Sequence, residues 1–308
     1  MRASSRRIIV ALFAALALQQ ACAATISVVT ATSDLASLAR AVGGDLVQVQ
    51  SIAPAGSDAE SYESRPGDLQ KIRDAQLVVR VGLGYDYWLD ALVRRTGNAR
   101  VARGSAGDVD ASLGIPLLDI RGQTVVNEAG HAHGVANPHY WLDPENARIA
   151  TANIAEHLIA LVPDARDRII AARSRFLAAL DLAERRWRAS LAPFAGTAVI
   201  AYHDAWPYFA RRFRLDVVGF IEPKPGIAPT PAHLRTIVDE AGRRKVRAVI
   251  HDALQPQDAS RFVARALGVP MVTLAVSAGS MPGTADYLDL IDANVAALAR
   301  ALSGAPAR

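Results

Sequence analysis

Two runs of short β-branched segments alternating with amphipathic ones flank a charged stretch, Asp164 to Leu191, that repeats apolar residues at helical spacing. Before that stretch, Thr25 to Thr30, Asp45 to Ile52 and Ala75 to Val81 read as strands, and Asp34 to Val42, Pro66 to Asp74 and Tyr87 to Arg95 as helices. After it, strands over Thr197 to Tyr202, Leu215 to Phe220, Ala248 to His251 and Met271 to Leu274 alternate with helical segments up to Leu302. Such alternation argues for parallel sheets with helices on their faces. A helix of about 28 residues spans about 42 Å at 1.5 Å per residue, enough to traverse two lobes. The expected fold is α/β, with two lobes, each a mainly parallel sheet flanked by helices, joined by a long rigid helix. The expected limits are 25–163 for the first lobe, 164–192 for the connector and 193–308 for the second lobe. Gly104 to Ala136 is less regular and contains a Gly/Ala/His-rich stretch, Glu128 to Gly134, that reads as an exposed loop.

Residues 1–24 stand outside this fold. Arg2, Arg6 and Arg7 precede the apolar run Ile8 to Leu18, and small residues follow at Ala21-Cys22-Ala23-Ala24, the pattern of a secretory signal peptide too short to span a bilayer. Cleavage near Ala23 or Ala24 and a periplasmic location are expected. The single cysteine, Cys22, lies in this zone behind a poor lipobox, Leu18-Gln-Gln-Ala21, so lipid anchoring is the lesser expectation. No disulfide framework can form. Losing the three arginines takes the Lys+Arg count from 34 to 31 against 30 Asp+Glu, and the formal charge from +4 to +1. That balance gives no argument for a nucleic-acid partner.

Chemistry is carried by isolated histidines. Thr197-Ala-Val-Ile-Ala-Tyr-His203-Asp204 and Val246-Arg-Ala-Val-Ile-His251-Asp252 each read as a buried strand delivering a His-Asp pair at its carboxyl end, the edge where open α/β sheets hold ligands. His139 sits between Pro138 and Pro144, and Glu60 lies in the polar loop Pro54 to Asp68 after the second strand. Neutral imidazole ligates zinc and related ions without thiolates. Each residue also has an ordinary structural reading, as a packed loop or strand-end histidine or a solvated glutamate.

Taken together, Pro54 to Asp68, Asn137 to Pro144, His203 with Ala205-Trp206 and Tyr208, and Gly268 to Leu274 followed by Tyr287-Leu-Asp-Leu and Asn294 resemble the cluster A-I solute-binding proteins of ABC importers for zinc and manganese. The block Pro138-His-Tyr-Trp-Leu-Asp-Pro144 is the most specific part. The resemblance implies one divalent metal held between two lobes, with His139 and His203 as its second and third ligands. Where the family usually has its first histidine this chain has Glu60, and where it usually has a fourth-ligand aspartate the chain has Ala275.

The expectation is that His251 takes the fourth place, giving Glu60, His139, His203 and His251, with Asp204 and Asp252 as competing ligands or as acceptors that orient the imidazoles. Such a set suits zinc, and manganese, iron, copper, cobalt or nickel are further candidates. His131 and His133 resemble the His-rich loop of zinc-specific members. The implied function is that of a monomeric, non-enzymatic periplasmic receptor delivering a divalent metal to a membrane permease with its ATPase. A metal-dependent hydrolase using the same cluster is the competing reading, although no H-E-x-x-H, serine elbow or phosphate loop accompanies it. An organic-solute receptor or adhesin on the same fold is a third.

Overall fold

The structure, a computed structural model, describes residues 25–119 and 136–304, and the backbone of 125–126 and 132–133. The signal segment, Cys22 and His131 fall outside the described residues. In the first sheet β1 (Ile26–Thr30), β2 (Val47–Ser51), β3 (Leu77–Arg80) and β4 (Asp108–Asp110) lie in the order β2-β1-β3-β4, all parallel. β3 is buried along its whole length, as a strand covered on both faces must be, whereas the edge strand β2 alternates half-buried valine with exposed glutamine. In the second sheet β7 (Ala198–Ala201), β8 (Asp216–Phe220), β9 (Ala248–Asp252) and β10 (Met271–Leu274) run in the order β10-β9-β7-β8, again parallel. Between them lies a two-residue antiparallel pair, β5 (Val125–Val126) with β6 (Ala132–His133).

The strand β4 falls in the stretch expected to be irregular. Its three residues, Asp-Val-Asp, carry one apolar side chain, too little for a periodicity signal.

The helices α1 (Ser33–Gly43), α2 (Pro66–Arg73), α3 (Tyr87–Thr96) and α4 (Pro144–Leu161) belong to the first half of the chain. The side chain of Thr32 caps α1, and that of Asp143 caps α4 ahead of a proline at its first position. The connector α5 (Arg166–Leu191) is 26 residues long and follows a single turn of tighter helix at Pro163–Ala165. It buries Ile169, Ala172, Phe176, Leu180, Ala183, Trp187 and Leu191, a three-four spacing that makes one apolar stripe. That stripe packs on α1, α4 and the last helix, so α5 touches elements from both halves. The remaining helices are α6 (Pro207–Phe213), α7 (Pro231–Arg243), α8 (Asp258–Leu267) and α9 (Tyr287–Ser303).

One continuous apolar core runs from Val28 and Val79 of the first sheet, through Leu180 and Trp187 of α5, to Val199 and Leu274 of the second. A smaller cluster around Ile200, Val249 and Val263 fills the other face of the second sheet under α7 and α8.

The turn after β10 is fastened to the first lobe. Trp141 Nε1 donates to Val276 O at 2.9 Å, Ala278 N to Asp34 Oδ1 at 2.8 Å, and Tyr287 N to Ser37 Oγ at 2.9 Å. Gly279, at φ 80°, comes so close to the first lobe that an added Cβ would stand 2.8 Å from the Ala55 methyl.

Asp34 is fully buried, and its Oδ2 has no hydrogen-bond partner among the described residues. Burial pushes its carboxyl from 3.8 up to about 7, against the lowering effect of the Ala278 N–H. A carboxyl whose native pKa is raised binds its proton more tightly folded than unfolded, so ionising it withdraws stability as pH rises from about 4 to about 7. At about 1.4 kcal/mol per pH unit the full loss is about 4 kcal/mol. Asp34→Asn keeps the acceptor for Ala278 and removes the charge. It is expected to melt several degrees above the native protein at pH 8 and alongside it at pH 4, in parallel thermal scans of metal-free protein. A gap that does not change with pH would contradict a buried charge at this position.

Candidate metal centre

Glu60, His139 and His203 converge from three separate segments, and one ligand atom from each lies within 4.8 Å of the others. Glu60 spans the two rings, with Oε1 3.6 Å from His139 Nε2 and Oε2 3.6 Å from His203 Nε2. The rings meet edge to face, centroids 5.2 Å apart. Both histidines are buried.

Each of these side chains is held by its own sequence neighbourhood. The Glu60 loop closes on itself through Asp58, whose carboxylate accepts from Glu60 N at 2.9 Å and Ser61 Oγ at 3.0 Å, while Trp88 Nε1 donates to Ala59 O at 3.1 Å. His139 is set by Asn137, whose Oδ1 accepts from His139 N at 3.0 Å and lies 3.2 Å from Nδ1, an arrangement that turns Nε2 toward Glu60. Its ring packs against Tyr85 and Trp141. His203 follows β7 by two residues. Its backbone N donates to Asp252 Oδ2 at 3.0 Å, and its Nδ1 lies 2.5 Å from Glu222 Oε2.

Asp252 therefore orients: its second oxygen accepts from Trp206 Nε1 at 2.6 Å. Asp204 is tied to Asn137, which donates to its backbone oxygen at 2.9 Å and to Oδ1 at 3.2 Å.

Glu222 is the residue that the sequence reading missed. Ala201 pairs with Phe220, so a residue two places past β7 and one two places past β8 leave the sheet edge together. The strand-end logic that picked out His203 applies equally to Glu222 in Phe220-Ile-Glu222, and its signal was there to be used.

Of the four residues expected in the site, His251 is not brought to this cluster. Successive side chains of a strand point to opposite faces. Since Asp252 faces His203, His251 faces the other way, with Nδ1 3.0 Å from Ser260 Oγ on α8 and its ring edge-on to Tyr202. It is fully buried, and burial pushes its pKa down, which keeps it neutral. The family's aspartate position, Ala275, is also buried, with its backbone N and O both bonded to the Asn294 side chain at 2.8 and 2.7 Å.

The charges are crowded. Burial raises Glu60 to about 7, against the pull of His203. Burial alone would lower His203, but the hydrogen bond to Glu222 and the charges of Glu60 and Asp252 outweigh it and lift it to about 10. Burial also raises Asp252 to about 6.

Beside the two histidines is a cavity of about 30 Å³, bordered also by Asp58, Tyr85, Asp252 and Ser277. That is room for an ion with one water. It is far below the several hundred Å³ of a pocket for a small organic molecule. A larger open groove of about 660 Å³ lies on the far side of Glu222 and includes none of the three clustered residues. Two imidazoles and a carboxylate are donor types that hold a divalent transition-metal ion.

The chain matches the family described as ZnuA, zinc-uptake complex component A periplasmic, over residues 28–301. It is 29% identical over 231 residues to the high-affinity zinc uptake system protein ZnuA of Yersinia pestis, covering 70% of this chain and 71% of that one. It is 26% identical over 253 residues to the manganese ABC transporter substrate-binding lipoprotein PsaA of Streptococcus pneumoniae, covering 80% and 78%. A crystal structure of a ZnuA deletion mutant with zinc bound superposes with a TM-score of 0.76 at 25% identity, over 92% of this chain and 100% of that one.

Removing ligands and removing the strand-end histidine should have different effects. His203→Ala or His139→Ala is expected to weaken zinc binding by more than about a hundredfold, since each removes one of three donors. His251→Ala is expected to leave the affinity within about threefold and to cost about 1–3 kcal/mol of stability, as a buried polar ring is replaced by a gap. Calorimetric zinc titration alongside thermal melting separates the two. A large affinity loss in His251→Ala with unchanged melting would return it to the coordination sphere.

Proposed function

Because the chain belongs to the ZnuA family of periplasmic substrate-binding proteins of ABC importers, we propose that it captures a single zinc ion on Glu60, His139 and His203 and presents it to a membrane permease driven by an ATPase. The observation that carries this reading is the convergence of the three ligand atoms within 4.8 Å beside a cavity that admits little more than an ion and a water. An imidazole-rich donor set favours zinc over manganese, which prefers oxygen ligands. Relatives named for zinc and for manganese both exist, so selectivity rests here on the donors of this chain.

Three converging protein donors do not by themselves separate a receptor from a metal enzyme, since catalytic zinc sites also use three protein ligands. Cavity size favours the receptor: about 30 Å³ is small for an ester, amide or phosphate substrate beside an ion. The same argument disfavours an organic-solute receptor. The signal segment suits a periplasmic receptor, and no helix of the described residues is long and apolar enough to cross a membrane.

Zinc needs Nε2 of His203 without its proton and Glu60 ionised. With His203 at about 10 and Glu60 at about 7, binding is expected to displace about one proton between pH 7 and 9 and approach two below pH 7. Apparent zinc affinity should therefore rise about tenfold per pH unit above 7, and more steeply below it. Competition against a calibrated chelator at several pH values, repeated with manganese, iron and copper, tests site and selectivity together. Tighter binding of manganese than of zinc, or a pH-independent affinity, would count against the proposal.

A further inference from the structure

We infer that Glu222 is a positioning residue that sets zinc affinity and selectivity by fixing the proton of His203 on Nδ1, so that the Nε2 lone pair faces the ion. The inference rests on the zinc-receptor reading and deepens it. Glu222 is buried, with a side chain 5% exposed, and both of its oxygens face a donor. Oε1 accepts from Gly226 N at 2.8 Å, and Oε2 lies 2.5 Å from His203 Nδ1. A carboxylate has acceptors at both ends and can serve both donors at once.

The backbone of His203 is fixed separately, by Asp252, so Glu222 acts on the ring alone. A carboxylate on the far nitrogen fixes ring orientation and tautomer, and makes the near nitrogen a stronger donor. Stronger imidazole donation matters more for zinc than for manganese, whose preference is for oxygen.

This geometry separates two isosteric variants in an unusual order. The amide of Glu222→Gln has one acceptor and one donor end. Gly226 N–H requires the acceptor, which leaves the NH2 facing His203 Nδ1. There it donates, and the neutral ring is forced to carry its proton on Nε2, pointing at the ion. Glu222→Ala removes the acceptor without imposing the wrong tautomer, since loss of the side chain would extend the groove that Glu222 lines toward Nδ1 and admit water there. A role confined to packing would rank alanine as the more damaging change.

The test is zinc and manganese titration of the full chain in native form, as Glu222→Gln and as Glu222→Ala, with thermal melting of each. Zinc affinity is expected to fall about tenfold in the alanine variant and about a hundredfold in the glutamine variant, with manganese falling by less than zinc in the alanine variant and by a comparable factor in the glutamine variant, where Nε2 is blocked. In the zinc-loaded native protein the Nδ1 proton of His203 should give a strongly downfield resonance, absent from Glu222→Gln. Equal zinc affinity in all three proteins, or tighter binding by glutamine than by alanine, overturns the inference. So does the absence of that resonance from native zinc-loaded protein, a readout that needs no variant to fold. Failure of the native protein to bind zinc at all is a different result and rejects the receptor reading itself.

Discussion

The hydrogen bond from Trp141 Nε1 to Val276 O joins the two lobes at the wall of the ion cavity, and much of the site depends on it. Trp141 stands two residues after His139 and packs on its ring, while Val276 and Ser277 line the cavity from the second lobe. The block around His139 is held largely by the opposite half of the molecule: Asn137 donates to Asp204, Tyr208 donates to Asn137 O, and Arg211 and Arg212 bind Asp143. A ligand fixed in this way cannot travel far without breaking buried hydrogen bonds. With α5 packed on elements of both lobes, the fold favours small tilts over a wide hinge.

Electrostatics pull against packing in the same place. Glu60 and Glu222 face the ring of His203 and Asp252 its backbone, all three largely buried. Burial raises the carboxyls of Glu60 and Asp252 toward their protonated forms. The His203 proton lowers the cost of their charge, and a divalent cation compensates it more fully. The site thus stores unfavourable desolvation that its cargo relieves, a reason for it to favour a double charge over a proton.

Strand-helix alternation and the apolar stripe of α5 were legible because each is a period, and a period survives the absence of three-dimensional context. His139 was legible through the resemblance of its segment, and His203 through its place past a buried strand. His251 shows the limit of that second argument. A strand end fixes the edge of the sheet but not the face, and face is decided by register relative to a neighbour. Adjacent residues of one strand point to opposite faces, so only one of His251 and Asp252 can face the cleft. β4, with a single valine between two aspartates, had too little pattern to be seen.

Compared with the ligand set implied by the resemblance, the chain has moved its carboxylate. The aspartate expected after β10 is replaced by Ala275, whose backbone is taken up by Asn294, and a carboxylate appears instead at Glu60 in place of a histidine. Formal ligand charge is unchanged by the exchange, whereas the clustered donors among the described residues number three instead of four. Charge compensation for a divalent ion, the longer-range term, is therefore retained, and one short-range bond is given up. The carboxylate comes from the lobe that also supplies His139, and among the described residues His203 is the one member of the cluster from the second lobe. Affinity in such a site must depend heavily on how well that one imidazole is aimed, and this is why two buried acidic groups, Asp252 on its backbone and Glu222 on its ring, are spent on holding it.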